Sequence, residues 1–109
     1  MTTQEVASMI ESIGLPFSYY QFNESTAQAP PFICFFYPDN NDFSADNINY
    51  ATVYRLVIEL YTDNKDLTIE SRVEDVLKEY GLFYTREETK LETERMFEVI
   101  YTTEVIINA

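Results

Sequence analysis

Two periods of hydrophobic and polar residues run along this chain, and together they predict two helices and five strands. Apolar residues at helical spacing predict helices over residues 3–13 and from about 66 to 80. Alternation with a period of two, or a short continuous apolar run, predicts strands over residues 17–22, 32–37, 50–61, 82–85 and 95–107. The order αβββαββ is typical of an α+β fold in which both helices pack on one face of a mostly antiparallel sheet.

Each predicted helix is preceded by a candidate N-cap, Thr2 or Thr3 in the first and Asp66 or Thr68 in the second. Each is followed by a glycine, which is the usual C-terminal stop. The apolar stripes that should face the sheet are Val6, Met9, Ile10 and Ile13, and then Ile69, Val73, Val76, Leu77 and Tyr80. On the opposite, solvated side of the second helix we expect Glu70, Glu74, Arg72 and Lys78, in local ion pairs of little net value.

Two polar segments interrupt this pattern. Residues 39–49, DNNDFSADNIN, are too long for a two-residue turn and predict an extended, mobile hairpin arm. An ordinary loop, with Phe43 and Ile48 packed back on their own subunit, is an equally good interpretation of this segment. Residues 86–93, REETKLET, predict a charged connection between the last two strands.

The chain is strongly acidic, with 19 Asp and Glu against 7 Lys and Arg and a net charge of −12 over 109 residues. This length fits one domain spanning residues 1–109. The charge disfavours specific nucleic-acid binding and an anionic membrane surface, since phosphate binding needs clustered Lys and Arg. A requirement for solubility is the simplest explanation of this negative charge. The more specific alternative is a surface that repels DNA or that docks on a basic partner.

The residues that usually carry chemistry are scarce. The chain has no histidine, and the single cysteine, Cys34, lies in an apolar run where it should be buried and unpaired. Adjacent carboxylates occur in polar runs that predict solvated surface, and Asp39, Asp42 and Asp46 lack the glycine and the final glutamate of a calcium loop. We therefore expect no catalytic residues, cofactor or metal. The N-terminal residues do not resemble a signal peptide, which predicts a soluble protein made in the cytoplasm.

The stretch RLVIELYTDNKDLTIESRVEDVLKEYGLFYTREET, followed by LETERMFEVIYTTEV, resembles the tail completion proteins of tailed phages and prophages of Gram-positive bacteria. These proteins are also called tail terminator or head–tail joining proteins. GLPFSYYQF and PPFICFFYPDNNDFSADNINY agree with this resemblance, as does the total length, so the resemblance covers nearly the whole chain.

The resemblance implies a structural subunit, not an enzyme. It would form a homo-oligomeric ring, typically a hexamer, from a free monomer that meets the tail tube. The ring would cap the finished tube and join it to the head through the tube protein and the head-completion or connector proteins. The protein would reside in the virion after assembly in the host cytoplasm. The residues expected at its contacts are Asn41, Phe43, Asp46, Ile48 and Tyr50 in the arm, and Glu87 and Glu88 in the charged connection.

Two other functions compete with this one. A small acidic inhibitor that mimics DNA would also carry a large negative charge, although it should array its carboxylates without interruption. Here Arg55, Arg72, Lys78, Arg86, Lys90 and Arg95 interrupt the acids. A carboxylate-dependent metal enzyme is the third and weakest possibility.

Overall fold

A computed structural model describes residues 1–22, 28–45, 48–92 and 95–107, with the backbone alone described for residues 41–45 and 48–51. Its two helices are α1 (Thr3–Glu11) and α2 (Leu67–Glu79). Its strands are β1 (Phe17–Tyr19), β2 (Phe32–Phe36), β3 (Asn40–Ala45), β4 (Ile48–Thr62), β5 (Tyr84–Leu91) and β6 (Met96–Ile107). The predicted α+β class and the two-helix, mostly antiparallel design are confirmed, and β3 is an additional strand within the predicted arm.

The sheet is built around the long strand β4. The strand order is β1-β2-β4-β6-β5, and β3 pairs with β4 off this path. Strands β2 and β3 share one edge of β4, with β2 opposite residues 57–61 and β3 opposite residues 48–54. Strand β6 covers the other edge from Thr52 to Thr62. All pairs are antiparallel except β1 with β2.

The predicted N-caps are present in both helices, and the predicted glycine stop is present after α2, whereas α1 ends at Glu11, two residues earlier than predicted. Thr2 and Glu5 form a reciprocal capping box at the start of α1, and the Asp66 side chain accepts from the Ile69 amide at the start of α2. After α2, Gly81 has a φ of 71°, which favours glycine, and the Leu82 amide donates to the Leu77 carbonyl at 2.9 Å. This pairing satisfies a carbonyl that the helix end would otherwise leave free.

The hydrophobic core lies between the two helices and one face of the sheet. All four residues of the predicted α1 stripe are buried, and Val73 and Leu77 of α2 are fully buried. The sheet contributes Leu56, Ile58 and Leu60 from β4 and Val99, Tyr101 and Val105 from β6, each on the face that period-two alternation predicts. We call the other side of the sheet, which neither helix covers, the open face.

The charged side of α2 is arranged differently from the prediction. Glu70 is only 2% exposed, whereas Tyr80, expected in the apolar stripe, is 44% exposed. Arg72 does not form a local ion pair, because its guanidinium donates to the Ile13 carbonyl at 2.6 Å and so joins α2 to the end of α1. The prediction of a purely solvated acidic side was wrong because cations from outside the helix reach Glu70.

Candidate assembly surface

The hairpin of β3 and the first part of β4, which we call the arm, reaches past the rest of the sheet. Asn40 pairs with Tyr54 and Ala45 with Ile48, with an irregularity between Phe43 and Ser44. The described part of β6 ends at Ile107, opposite Thr52, so residues 48–51 of β4 have only β3 as a neighbour in the described sheet. At about 3.3 Å per residue this overhang is roughly 13 Å long.

The overhang is reflected in the overall dimensions. The radius of gyration is 15.0 Å, whereas a compact domain of this length is expected near ~13 Å. The principal extents are 50 × 29 × 23 Å. The molecule is therefore longer than its core requires, as a projecting arm predicts.

Four of the five predicted arm contacts fall on this hairpin, where the structure describes their backbone but not their side chains. The backbone places Asn41 and Phe43 on β3, opposite Val53 and Ala51, and places Ile48 and Tyr50 on β4. Asp46 lies outside the described residues. The assignment of these five residues to an interface stays a prediction.

An ion pair and a backbone hydrogen bond fix the base of the arm. The Arg55 guanidinium lies 3.1 Å from an Asp39 carboxylate oxygen, and the Arg55 amide donates to the Asp39 carbonyl at 3.1 Å. Beside this pair is a surface depression of about 500 Å³, with Phe83, Thr102 and Glu104 in its lining. Polar and apolar groups thus meet in one concave area where the arm leaves the sheet.

Phe83 is the most exposed large apolar side chain of the described chain, at 97%. It lies in the turn between α2 and β5, and its carbonyl accepts a hydrogen bond from the Thr103 hydroxyl. Its backbone is therefore anchored while its ring projects into solvent. Sequence reasoning missed it, because a phenylalanine at the start of a predicted strand gives no sign of which way it points.

At the opposite edge of the sheet, Tyr19 and Tyr20 are also exposed, at 50% and 55%. Tyr20 has a φ of 68° and stacks on Phe36 with ring centroids 5.4 Å apart. Tyr19 packs edge-on against Phe35, at 5.4 Å. Both rings therefore pack on the sheet, while about half of each tyrosine remains exposed to solvent.

Glu87 and Glu88 lie within β5 and not in a connection. The prediction of a connection over residues 86–93 was wrong for residues 86–91, because β5 pairs with β6 from Tyr84–Thr103 to Leu91–Met96. Thr93 lies outside the described residues. Adjacent residues on a strand point to opposite faces. Glu88 therefore lies on the helix side, where it forms an ion pair with Lys65, and Glu87 lies on the open side.

A charged network joins α2 to β5 beneath this edge. The Glu70 carboxylate binds Arg86 and lies 2.8 Å from the Lys65 ammonium nitrogen. The Arg86 Nε is 3.5 Å from Glu74, which accepts a 2.8 Å hydrogen bond from the Tyr101 hydroxyl. Burial, and then the bond to Glu74, raise the pKa of Tyr101 above its ordinary value. These groups are satisfied by one another, which is typical of a structural network.

Burial also governs the single cysteine. Cys34 is 5% exposed, unpaired, and lies opposite Glu59 on the open face. Burial and the neighbouring Glu59 raise the pKa of its thiol. The prediction of a buried, hydrophobe-like cysteine is confirmed.

The described residues contain no group of three or more carboxylate or cysteine side chains placed to hold one metal ion. In the same part of the chain neither helix has the length and apolar character needed to span a membrane.

Comparison with known proteins identifies the fold but not the family. No family model and no curated protein matches this sequence. Seven chains of solved structures match its structure. One of them is a chain from the virion of a native gene transfer agent particle, with a TM-score of 0.61 and 13% sequence identity. The match covers 94% of this chain and 86% of that chain, so the two share a fold over nearly their whole length.

Proposed function

We propose that this chain is a non-enzymatic structural subunit of a phage or prophage virion, which forms a ring that caps the completed tail tube and joins the tail to the head. The observation that carries the proposal is the shared fold with a chain of a gene transfer agent virion, over 94% of this chain. A match that leaves little of either chain uncovered supports a common role as a particle component. The finer assignment to the tail end rests on the resemblance of the sequence.

The two edges of the sheet support assembly into a ring. Strand β1 and strand β5 lie at opposite ends of the strand order, and exposed aromatic rings stand near each of them. Aromatic side chains are enriched at the energetic centres of interfaces. Because the two edges differ in sequence, a contact between them is heterologous, and such contacts close into rings when the rotation between subunits permits.

The arm supplies a second kind of contact. Residues 48–51 have β3 as their one described neighbour, so we propose that the other edge of this ribbon contacts another subunit. We propose that Asn41, Phe43, Asp46, Ile48 and Tyr50 contact a neighbouring subunit or the tube. Glu87, on the open side of β5, is proposed at the same interface. We propose that Glu88 lies at this interface as well, together with Lys65, with which it forms an exposed ion pair.

The charge fits a channel through which DNA passes. A net charge of −12 disfavours phosphate binding, so DNA would move past without being held tightly. The arrangement of the cations also weakens the case for a DNA mimic, since Lys65 and Arg86 lie among the carboxylates of α2 and β5 and pair with Glu70 and Glu88.

Binding to tail tubes tests the proposal. Full-length protein would be mixed with tubes from the particle that this chain belongs to, assembled without this chain, and examined by co-sedimentation and electron microscopy. We expect a ring at one end of each tube and, in particles lacking the protein, tails that are not attached to heads. Absence of binding, or normal tails in those particles, would refute the proposal. Competition with DNA for a nuclease would favour the mimic instead.

Two matched variants sharpen the test. Phe83→Ser removes a ring that is 97% exposed, and Leu67→Ser removes an apolar side chain that is 68% exposed at the start of α2. Neither should alter folding, since neither side chain is buried. We expect Phe83→Ser to weaken ring formation on tubes at least tenfold and Leu67→Ser to leave it unchanged. Equal ring formation by the two variants would show that Phe83 does not lie in the interface.

A further inference from the structure

The centre of the open face holds two carboxylic acids on adjacent strands. In the β4–β6 register Glu59 lies opposite Ile100 and Tyr61 lies opposite Glu98, so Glu59 and Glu98 are diagonal neighbours on one face. The Tyr61 hydroxyl donates to a Glu98 carboxyl oxygen at 2.8 Å, which holds the Glu98 side chain beside β4. Diagonal neighbours on a sheet are within reach of long side chains.

No cation compensates these two acids. In the described part of the chain neither glutamate has an ion-pair partner, and the groups that face Glu59 are Cys34 on β2, Tyr61 on β4 and Glu98 on β6. Farther along the same face, Arg55 is paired with Asp39, and Glu87 of β5 lies across from Ile100. A hydrogen bond between two carboxyl groups needs a proton, because two carboxylates have no donor.

We propose that Glu59 and Glu98 form a carboxyl pair that holds one shared proton at neutral pH, which makes the junction of β2, β4 and β6 a pH-sensitive element. When the last proton leaves, the bond between the two acids is lost and two like charges face each other in a half-buried site. The contacts of the open face around Cys34 and Tyr61 then weaken. The inference does not depend on the role of the protein in a virion.

The direction of the pKa shifts at Glu59 and Tyr61 agrees with a shared proton. Burial, and then the hydrogen bond and the charge of Glu98, raise the pKa of Glu59 to about 7. Burial and the bond to Glu98 raise the pKa of Tyr61, so its hydroxyl remains a donor throughout this range. Because the folded state holds its proton more tightly than the unfolded chain, the stabilisation is complete below about pH 4.5 and is lost as the pH rises toward 7.

A direct test measures the protons themselves. The side-chain carboxyl carbons of ¹³C-labelled glutamate in the full-length protein would be followed by NMR between pH 3 and pH 9. We expect the resonance of Glu59 to report an ionisation centred near pH 7. Complete ionisation of Glu59 below pH 5 would overturn the proposal, whatever happens to any variant.

Variants test the consequence for stability. The midpoint of urea unfolding should fall between pH 5 and pH 8 in the wild type, and this fall should be at least halved in Glu59→Gln and Glu98→Gln. Glu104→Gln is the matched control, since Glu104 lies on β6 and on the same face but is exposed opposite Arg55. The control should keep the full fall. A fall that persists in Glu98→Gln, or disappears equally in Glu104→Gln, would contradict the shared proton.

Discussion

Replacing Arg86 with methionine removes a charge from the network beneath β5 while keeping most of the side chain's apolar stem. The carboxylate of Glu70 is 3% exposed and has two cationic partners, Arg86 and Lys65. Arg86 also touches Glu74 at 3.5 Å. After the substitution Glu70 keeps Lys65 alone, and Glu74 keeps the Tyr101 hydroxyl.

The magnitude follows from the burial of Glu70. Removing one partner of a fully buried ion pair costs about 3–5 kcal/mol, chiefly because the remaining charge is left without compensation. Here Lys65 stays at 2.8 Å and Arg86 itself is 35% exposed. With one of two partners retained and some solvent access, we expect a loss of roughly 2 kcal/mol. For a domain of this size that corresponds to a decrease in Tm of about 8–16 °C.

Urea unfolding followed by far-UV circular dichroism measures this loss, with Arg55→Met as the control. The control breaks the Asp39–Arg55 pair, whose side chains are 54% and 52% exposed. Exposed pairs contribute at most about 1 kcal/mol, so the control should lose less than ~1 kcal/mol of unfolding free energy although it changes the net charge identically. Equal stability of the two variants, or an Arg86→Met loss below ~0.5 kcal/mol, would refute the reasoning.

Three further predictions concern the fold and the arm. Gly14→Ala should lower the free energy of unfolding by about 2 kcal/mol and Gly81→Ala by about 1 kcal/mol. Both glycines have a positive φ, but only at Gly14 would the new Cβ lie 2.7 Å from the Arg72 guanidinium. Equal losses in urea unfolding would argue against this contact. Leu77→Ala should lower the free energy of unfolding by roughly 2–5 kcal/mol in the same assay, since the side chain is fully buried. A loss below ~1 kcal/mol would mean that the core is less tightly packed than the structure shows. Deletion of residues 40–49 should keep a folded domain by circular dichroism yet abolish binding to tail tubes; an unfolded product would show that the arm belongs to the core.

The sequence alone determines the features that depend on near neighbours along the chain. Both helices, their caps and their glycine stops follow from residues within a few positions of one another, as at Asp66 and Gly81. The two faces of β4 follow from simple alternation, which places Leu56 and Ile58 in the core. These patterns are enough to predict the α+β class.

Only the tertiary structure decides which distant groups meet. Glu70 is buried because β5 brings Arg86 to it from 16 positions away, whereas a helical pattern places it on the solvated side. Glu59 and Glu98 become neighbours through the β4–β6 register, and the ring of Phe83 is left in solvent by the geometry of a turn. The partners of a charge and the exposure of a ring depend on contacts between segments far apart in the chain, which local periodicity does not encode.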